Sequence, residues 1–278
     1  MIERIPVLIA ALGVLSLVFG LVEWRWPSLR GQKRIRCGFF TDVAWWLFTP
    51  TAGKLFSGVF VVMVSLSLAR ILGLPITVDH LKGLAERDTA IGRQPVAVQL
   101  VEFLLLADLL AYWQHRAFHS FERLWRIHAV HHSSTELDWL SAVRVHPLNE
   151  ALSNTAIAAP LILLGFSPVT LAAYLPFLTF YAITLHANVD WDMGPLRYVI
   201  SSPAFHRWHH SAEAEALNKN FAGLLPVLDW LFGTLYLPRD KRASVFGTVD
   251  RSVPGGFLRQ LAYPLMKPTI AASETAIT

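Results

Sequence analysis

Histidines concentrate in the middle of the chain, at spacings that suit metal binding. Ten of the 11 histidines lie between residues 115 and 210, in three clusters and two single positions. On a helix, residues three or four apart share a face, so the rings of each cluster can point towards one centre. The clusters are His115 and His119; His128, His131 and His132; and His206, His209 and His210.

Eight imidazoles brought together without a ligand would be unfavourable. Close rings repel one another when they are protonated, and buried neutral rings leave polar nitrogens unsatisfied. A bound metal resolves both problems, so the clusters predict a metal centre. The spacing of the second cluster lets His128 share a metal with either His131 or His132, and the third cluster repeats this spacing.

The number of histidines predicts two metal ions. Imidazole binds iron, zinc, copper and nickel, and one tetrahedral zinc takes at most four protein ligands. Eight to ten histidines supply two metals with four or five each, which fits two irons that keep an open position and also fits two zinc ions. A zinc protease carries glutamate after the first histidine of H-E-x-x-H, whereas Arg116 follows His115 here. The clusters contain few carboxylates, which disfavours a zinc-dependent membrane hydrolase.

Two single histidines extend the predicted ligand set. His146, in VRVHPLNE, and His186, in LHANVDW, lie near the ends of apolar segments on the same side of the membrane as the clusters. We include both as ligands, with a packed side chain as the alternative for each. His80 lies in a polar segment and is interpreted as a surface residue.

An acid precedes the first cluster inside an apolar segment. Asp108 lies two helical turns before His115 on the same face, with Tyr112 between them. Acids inside membrane segments are unfavourable and usually functional, so we predict that Asp108 accepts a hydrogen bond that orients a ligand histidine. The alternative is an acid that reaches the membrane interface. Three arginines also flank the clusters: Arg116, Arg144 and Arg207. Their predicted partners are lipid phosphate or the nearby acids Glu122, Glu136, Asp138 and Glu150.

The composition is that of a membrane protein. The 278 residues are 54% hydrophobic and 16% charged, which is too apolar for an ordinary soluble domain. The single cysteine, Cys37, excludes a disulfide framework and a multi-cysteine metal site. The net charge is +4, but the basic residues lie at the ends of apolar runs, so they predict membrane orientation rather than nucleic-acid binding.

Apolar segments predict four to five membrane spans. They are residues 5–22, 55–74, 96–113, 152–164 and 168–185, and GFSP at 165–168 joins the last two as a hairpin. Residues 39–50 are short and end at Pro50, which predicts an interfacial helix or the beginning of the second span. No small-residue cleavage site follows the first segment, so we expect a retained helix rather than a signal peptide.

The distribution of basic residues predicts the topology. Residues 25–36 contain five arginines and lysines, which places this loop in the cytoplasm by the positive-inside rule and the N-terminus outside. The spans then return all the histidine clusters to the cytoplasmic face. We predict an all-α membrane protein in which a cytoplasmic helical cap holds a two-metal site. A metal transporter or binding protein is disfavoured, because its ligands should lie at mid-membrane.

The chain resembles the fatty acid hydroxylase superfamily, the membrane di-iron oxygenases that include sterol desaturases and sphingolipid hydroxylases. The resemblance rests on three histidine motifs in order and on DLLAYWQHRAFH, LWRIHAVHHSS, AVRVHP, PAFHRWHHS and NKNFAGLLPVLDWLFGTLY, within about residues 97–238. It implies a catalytic domain at 96–240, preceded by N-terminal spans and a loop at 1–95 and followed by a C-terminal tail at 241–278.

The resemblance also implies a chemistry. Family members use two irons, O2 and two external electrons to hydroxylate or desaturate a C–H bond of a lipid. The resemblance further implies that Asn220 and Asp229 support the site, with a role in a helix cap or a turn as the alternative. The sequence contains no nucleotide-binding glycine motif, fused haem domain or ferredoxin cysteines. We therefore expect a separate electron donor, a cytochrome or ferredoxin with its reductase. The lipid, the choice between hydroxylation and desaturation, and the oligomeric state stay open.

Overall fold

The described part of the chain is all-helical, as predicted, apart from two isolated β-bridges. The computed structural model describes residues 4–71, 73, 89–166 and 168–266. Predictions for His80, the end of the second span and residues 267–278 lie outside the described residues. The α-helices are α1 (Ile5–Arg25), α2 (Phe39–Phe48), α3 (Lys54–Ile71), α4 (Val96–Ser120), α5 (Glu122–His132), α6 (Pro147–Leu164), α7 (Pro168–His186), α8 (Pro203–His209), α9 (Val227–Leu231) and α10 (Phe257–Ala262).

Pro50 does not end the apolar helix that begins at Phe39. α2 continues into a π-helical turn, Thr49–Gly53, and then into α3. Proline has no N–H to donate and clashes with the preceding turn of a helix, and the wider turn accommodates it. The Thr51 hydroxyl donates to the Leu47 carbonyl at 2.6 Å within this turn. Residues 39–50 therefore begin the second candidate span, which agrees with one of the two predicted alternatives.

Three helices of the described chain are long and apolar enough to cross a membrane by length and composition. They are Ile5–Arg25, Phe39–Val64 and Val96–Ser120, which correspond to the first three predicted spans. α6 and α7 are the two helices of the predicted hairpin, and between them Gly165 has a φ of 92° that favours glycine. Both helices of this predicted hairpin pack against α4. Its crossing of the membrane, and hence a total of four to five spans, stays a prediction.

The N-terminal helices pack against the part of the chain that carries the histidines. Phe19 of α1 stacks on Trp139 with ring centroids 5.6 Å apart, and Trp46 of α2 meets the same indole edge-on at 5.9 Å. The Trp46 indole N–H also donates to the Leu8 carbonyl at 2.9 Å, which ties α1 to α2. These contacts support the 3-10 turn Trp139–Val143, which also packs against α7.

The segment after residue 240, predicted as a C-terminal tail, packs on the core as far as residue 266. The Trp45 indole N–H donates to Gln260 Oε1 at 2.9 Å, and the Arg126 guanidinium donates to the Tyr263 carbonyl at 3.2 Å. α10 also packs against α2, with Phe257 meeting Trp45 edge-on at 4.8 Å. Aromatic contacts therefore hold residues 241–266 of the predicted tail on the core.

Candidate metal centre

Three helices bring the histidine clusters together. α4 carries His115 and His119 in its last two turns, and α5 begins two residues after α4 ends. α8 begins after Ser202, whose hydroxyl accepts a bond from the Phe205 N–H at 3.1 Å, and Pro203 occupies its first position. A serine cap and a proline at the first position both favour a helix start.

Nine histidines form two groups, in each of which the ligand nitrogens lie within 4.8 Å of one another. Each H-x-x-H-H cluster is divided between the two groups. Its first and last histidines join one group, and its middle histidine joins the other. The five-histidine group is His115, His119, His128, His132 and His209, and the four-histidine group is His131, His186, His206 and His210.

The Nε2 atoms of the two groups converge at distances that suit a shared metal. In the five-histidine group, Nε2 of His128 lies 3.0 Å from that of His115 and 3.2 Å from that of His132. In the four-histidine group, Nε2 of His186 lies 3.2 Å from that of His131 and 3.1 Å from that of His206. Nitrogens bound to one metal at about 2.1 Å are separated by about 3.0–3.4 Å at neighbouring coordination positions.

Backbone carbonyls determine which ring nitrogens carry protons. Nδ1 of His131 lies 3.2 Å from the Arg144 carbonyl, and Nδ1 of His186 lies 2.7 Å from the Ala182 carbonyl. A carbonyl only accepts hydrogen bonds, so each Nδ1 donates and each neutral ring has a bare Nε2. The two Nε2 atoms, 3.2 Å apart, therefore face each other with lone pairs and no proton between them.

The five-histidine group has the same arrangement. Nδ1 of His115 donates to the Phe221 carbonyl at 2.8 Å, and Nδ1 of His209 donates to the Lys219 carbonyl at 2.9 Å. Nε2 of His119 is buried without a hydrogen-bond partner in the described chain. A cation at the centre of each group would satisfy these bare nitrogens, so the residues fit bound metal.

Protonation is a poor alternative to metal for these rings. Burial lowers the pKa of each clustered histidine outside the predicted spans well below its ordinary value, and the neighbouring imidazoles lower it further. This holds for the six clustered histidines outside the predicted spans: His128, His131, His132, His206, His209 and His210. At neutral pH these rings are neutral, which is the form that binds metal.

Two buried carboxylates hold the loop that orients His115. Asp229 accepts hydrogen bonds from the N–H groups of Phe221 and Ala222, and Asp108 accepts them from the next three N–H groups, at 2.7–3.1 Å. Five consecutive backbone donors thus end on two side chains. Asp108 does not contact His115, and the predicted direct bond between them is corrected. It acts through the loop that places the Phe221 carbonyl.

Comparisons with known proteins agree with this geometry. The model of the fatty acid hydroxylase family matches residues 100–234, which include all nine grouped histidines. Over these residues, the chain is similar to the fatty acid hydroxylase family. No solved structure matches the chain at a significant level.

Three curated relatives are similar to part of the chain. Ornithine lipid hydroxylase OlsE of Rhizobium tropici is 35% identical over 174 residues, 62% of this chain and 52% of that protein. The alkylglycerol monooxygenases of Danio rerio and Homo sapiens are 34% and 32% identical over 134 residues, 48% of this chain and 30% of each. The chain thus spans between about a third and a half of the length of these relatives.

Asn220 supports both sides of the site. Its side-chain N–H groups donate to the Phe205 carbonyl at 3.0 Å and to the Tyr236 carbonyl at 2.8 Å, and its Oδ1 accepts from the Tyr236 N–H at 2.8 Å. Its φ of 59° lies in the left-handed region that asparagine tolerates. This conformation places the neighbouring carbonyls of Lys219 and Phe221 on two ligand histidines.

His146 lies outside both histidine groups. Its Nε2 lies 3.0 Å from the Leu261 carbonyl, and its Nδ1 accepts a bond from the Leu148 N–H at 3.2 Å. Both ring nitrogens are used by the backbone, so neither is free for a metal. The prediction of His146 as a ligand is therefore corrected, whereas His186 lies within the four-histidine group.

We expect His146→Gln to keep the metal content of the parent protein. Glutamine can still bond to the Leu261 carbonyl, and no group loses a ligand nitrogen. The number of metal ions per chain, measured by mass spectrometry on protein purified in detergent, checks this result. A loss of about one metal per chain would return His146 to the ligand set.

Buried arginines pair differently from the sequence-based prediction. Arg144 donates to Asp42 at 2.6 Å and to the Ser133 hydroxyl at 3.0 Å, while Asp138 and Asp42 both accept from Arg36. Arg144 thus pairs with an acid of α2 rather than with the acids of its own region. Since the Arg144 carbonyl accepts from His131, this ion network holds a ligand of the four-histidine group.

The other two flanking arginines have no carboxylate bond in the described chain. Arg207 donates to the Leu137 carbonyl at 3.1 Å and lies 4.7 Å over the Phe246 ring, and burial lowers its pKa to about 10. Arg116 lies 5.4 Å over the Trp113 ring and bonds to the Tyr112 hydroxyl at 3.3 Å.

Sequence reasoning missed Asn149 and the carbonyl acceptors. Asn149 Oδ1 lies 2.8 Å from Nδ1 of His128 and gives this ring its fixed orientation. Asn149 belongs to the V-R-V-H-P-L-N-E stretch, and its position three residues after the predicted ligand His146 was the only indication in the sequence. Backbone carbonyls carry no residue type, so the sequence alone gave no signal for Phe221 or Lys219.

A cavity of about 290 Å³ borders the five-histidine group. His119, His132 and His209 form its inner wall, and Trp125 lies beside them with its ring 4.9 Å from that of His119. Residues 211, 217–218 and 247–250 line the rest of the cavity. This group therefore has open space next to its ligand nitrogens.

Proposed function

We propose that the protein is a membrane-bound di-iron oxygenase that hydroxylates or desaturates a C–H bond of a lipid, using O2 and two external electrons. The observation that carries the proposal is the pair of buried histidine groups whose bare Nε2 atoms face one another. Nitrogen-only sets of four and five ligands leave iron an open position, and neither group contains a carboxylate.

The chain's own residues would hold the two irons and exclude water. When bound, the irons would supply the activation of O2, which no side chain provides. The carbonyls of Phe221, Lys219, Arg144 and Ala182 fix the rings of four ligands, and a fixed ring raises metal affinity. Burial of six of the nine grouped histidines would limit the access of solvent to the reacting atoms.

α4 connects the metal centre to the bilayer. This helix is a candidate span, and its last two turns carry His115 and His119. A lipid beside α4 would therefore reach the five-histidine group at the membrane surface. The positive-inside rule supports the cytoplasmic face as the location of the site.

The names of the relatives support a lipid substrate. One is named for ornithine lipid and two for alkylglycerol, and both activities are named hydroxylase or monooxygenase. We propose hydroxylation as the main reaction, with fatty acyl, sterol, sphingoid or related lipids as the substrate class. The electrons would come from a separate cytochrome or ferredoxin with its reductase.

Metal analysis separates the oxygenase from the zinc hydrolase. Protein purified without oxygen from iron-supplemented cells should contain about two irons per chain, given two histidine groups, and iron removal should abolish activity. Activity that persists with zinc alone would instead support a hydrolase. Metal transport by the protein in sealed vesicles, with no oxygen consumption, would support a transporter.

Lipid profiling under ¹⁸O2 tests the reaction itself. Cells that express the protein should contain a lipid carrying one ¹⁸O atom that control cells lack, because hydroxylation transfers one oxygen of O2 to carbon. A His131→Ala strain is the matched control, since it lacks a ligand of the four-histidine group. A new double bond without ¹⁸O would establish desaturation, and an unchanged lipid profile would contradict both.

A further inference from the structure

The segment after the Asn220 loop presents an apolar face outside the core. α9 buries Asp229, while three neighbouring side chains are exposed: Trp230 by 66%, Leu231 by 60% and Phe232 by 38%. Large apolar side chains that are adjacent and exposed mark an interaction surface. We define residues 227–232 as the apolar wedge.

The apolar wedge is continuous with the exposed face of a candidate membrane span. The Phe232 ring lies 4.8 Å from that of Trp113 on α4, and Trp113 is itself 47% exposed. Towards the N-terminus of α4, Val101 and Leu105 are also exposed, by 60% and 50%. These α4 side chains share one broad face, and a span of this composition exposes such a face to lipid.

A cation and an indole lie where the wedge meets α4. The Arg116 guanidinium lies over the Trp113 ring and bonds to the Phe232 carbonyl at 3.5 Å. Tryptophan is enriched at the level of lipid headgroups, and arginine at the end of a span reaches towards the phosphates. This pair therefore marks the depth of the membrane surface beside the wedge.

We propose that the apolar wedge is inserted in the cytoplasmic leaflet of the bilayer, next to the end of α4. The occupant of this surface is lipid acyl chain, because the exposed side chains are apolar and adjoin the lipid-facing side of a span. The proposal rests on the membrane location of α4 and needs neither a metal nor a reaction.

Insertion would connect the bilayer to the metal centre. Asp229, within the wedge, accepts the Phe221 and Ala222 N–H groups, and the Phe221 carbonyl orients His115. A lipid that meets the wedge is thus separated from a ligand histidine by a single loop. The wedge forms part of the boundary along which a substrate lipid would approach.

Labelling at single cysteines tests the insertion. In a Cys37→Ser background, Leu231→Cys carries an environment-sensitive NBD dye on the full-length protein in lipid nanodiscs. We expect blue-shifted emission and quenching by doxyl lipids. The matched control is Val245→Cys, on the cap and 53% exposed, whose dye should be quenched by aqueous iodide instead.

Equal iodide quenching at the two positions would overturn the proposal. A dye at Trp113→Cys reports separately on the location of α4, because Trp113 is on that helix and 47% exposed. Lipid quenching at 113 together with iodide quenching at 231 would exclude the wedge and leave the membrane location of the enzyme intact. Metal content equal to that of the Cys37→Ser parent shows that each labelled variant is folded.

Discussion

Replacing His131 with alanine should leave about one metal ion per chain instead of two and no measurable turnover. His131 belongs to the four-histidine group only, and its loss leaves three imidazoles there while the five-histidine group stays complete. Mutations of residues that merely orient ligands already lower metal affinity by about 10–100-fold. The loss of a ligand nitrogen should have a larger effect. Metal per chain and lipid hydroxylation are the two measurements.

The matched variant His128→Ala should lose the other metal. His128 belongs to the five-histidine group, lies on the same helix and is three residues away. Two variants that each retain about one metal, together with a His146→Gln variant that retains both, would assign the groups. Full metal content in His131→Ala would remove His131 from the ligand set.

Asp229→Ala should lower the unfolding temperature by roughly 10 °C. The substitution leaves two backbone N–H groups and the Thr234 hydroxyl without their acceptor, and each unsatisfied buried donor costs about 1–3 kcal/mol. A loss of about 3–5 kcal/mol corresponds to this shift for a chain of this size. The metal of the five-histidine group should also be lost, because the Phe221 carbonyl no longer holds His115.

Asp190→Ala is the control for this prediction. Asp190 forms an ion pair with Arg242 at the surface, where both side chains are about 40% exposed. Exposed ion pairs contribute about 0–1 kcal/mol, so this variant should unfold within about 3 °C of the parent and keep both metals. Thermal unfolding of both variants in the same detergent gives the comparison. Equal unfolding temperatures would contradict the supporting role of Asp229.

The grouping of the clustered histidines could be predicted from the sequence because helix periodicity brings the rings of one cluster together. Spacings of three and four place imidazoles on one face whatever surrounds the helix. The assignment to two groups could not be predicted, since it depends on how α4, α5 and α8 are oriented in space. His128 was compatible with either His131 or His132, and the packing of α5 selects His132.

Asp108 shows where periodicity stops being informative. The spacing correctly places it on one helix, two turns before His115, but two turns are about 10 Å along the axis. A carboxylate cannot reach an imidazole over that distance. The loop at 221–225 fills the space between them, and its position depends on contacts more than 100 residues apart in the chain.

The role of Asp42 could not be predicted from the sequence either. This acid lies before residues 100–234, which the family model matches, and its partner Arg144 is 102 residues away. Its apolar surroundings predicted only a membrane or interfacial helix. The ion network to Arg144 becomes visible only when α2 packs against the turn at 139–143.

The division of each H-x-x-H-H cluster between the two groups would fix the distance between two bound metals. His131 and His132 are joined by one peptide bond yet serve different groups, and the same is true of His209 and His210. Neighbouring residues on a helix differ by about 100° in direction and 1.5 Å in height. The spacing of two bound metals would therefore depend on helix geometry at two places. One inserted residue within either cluster would dismantle both sites together.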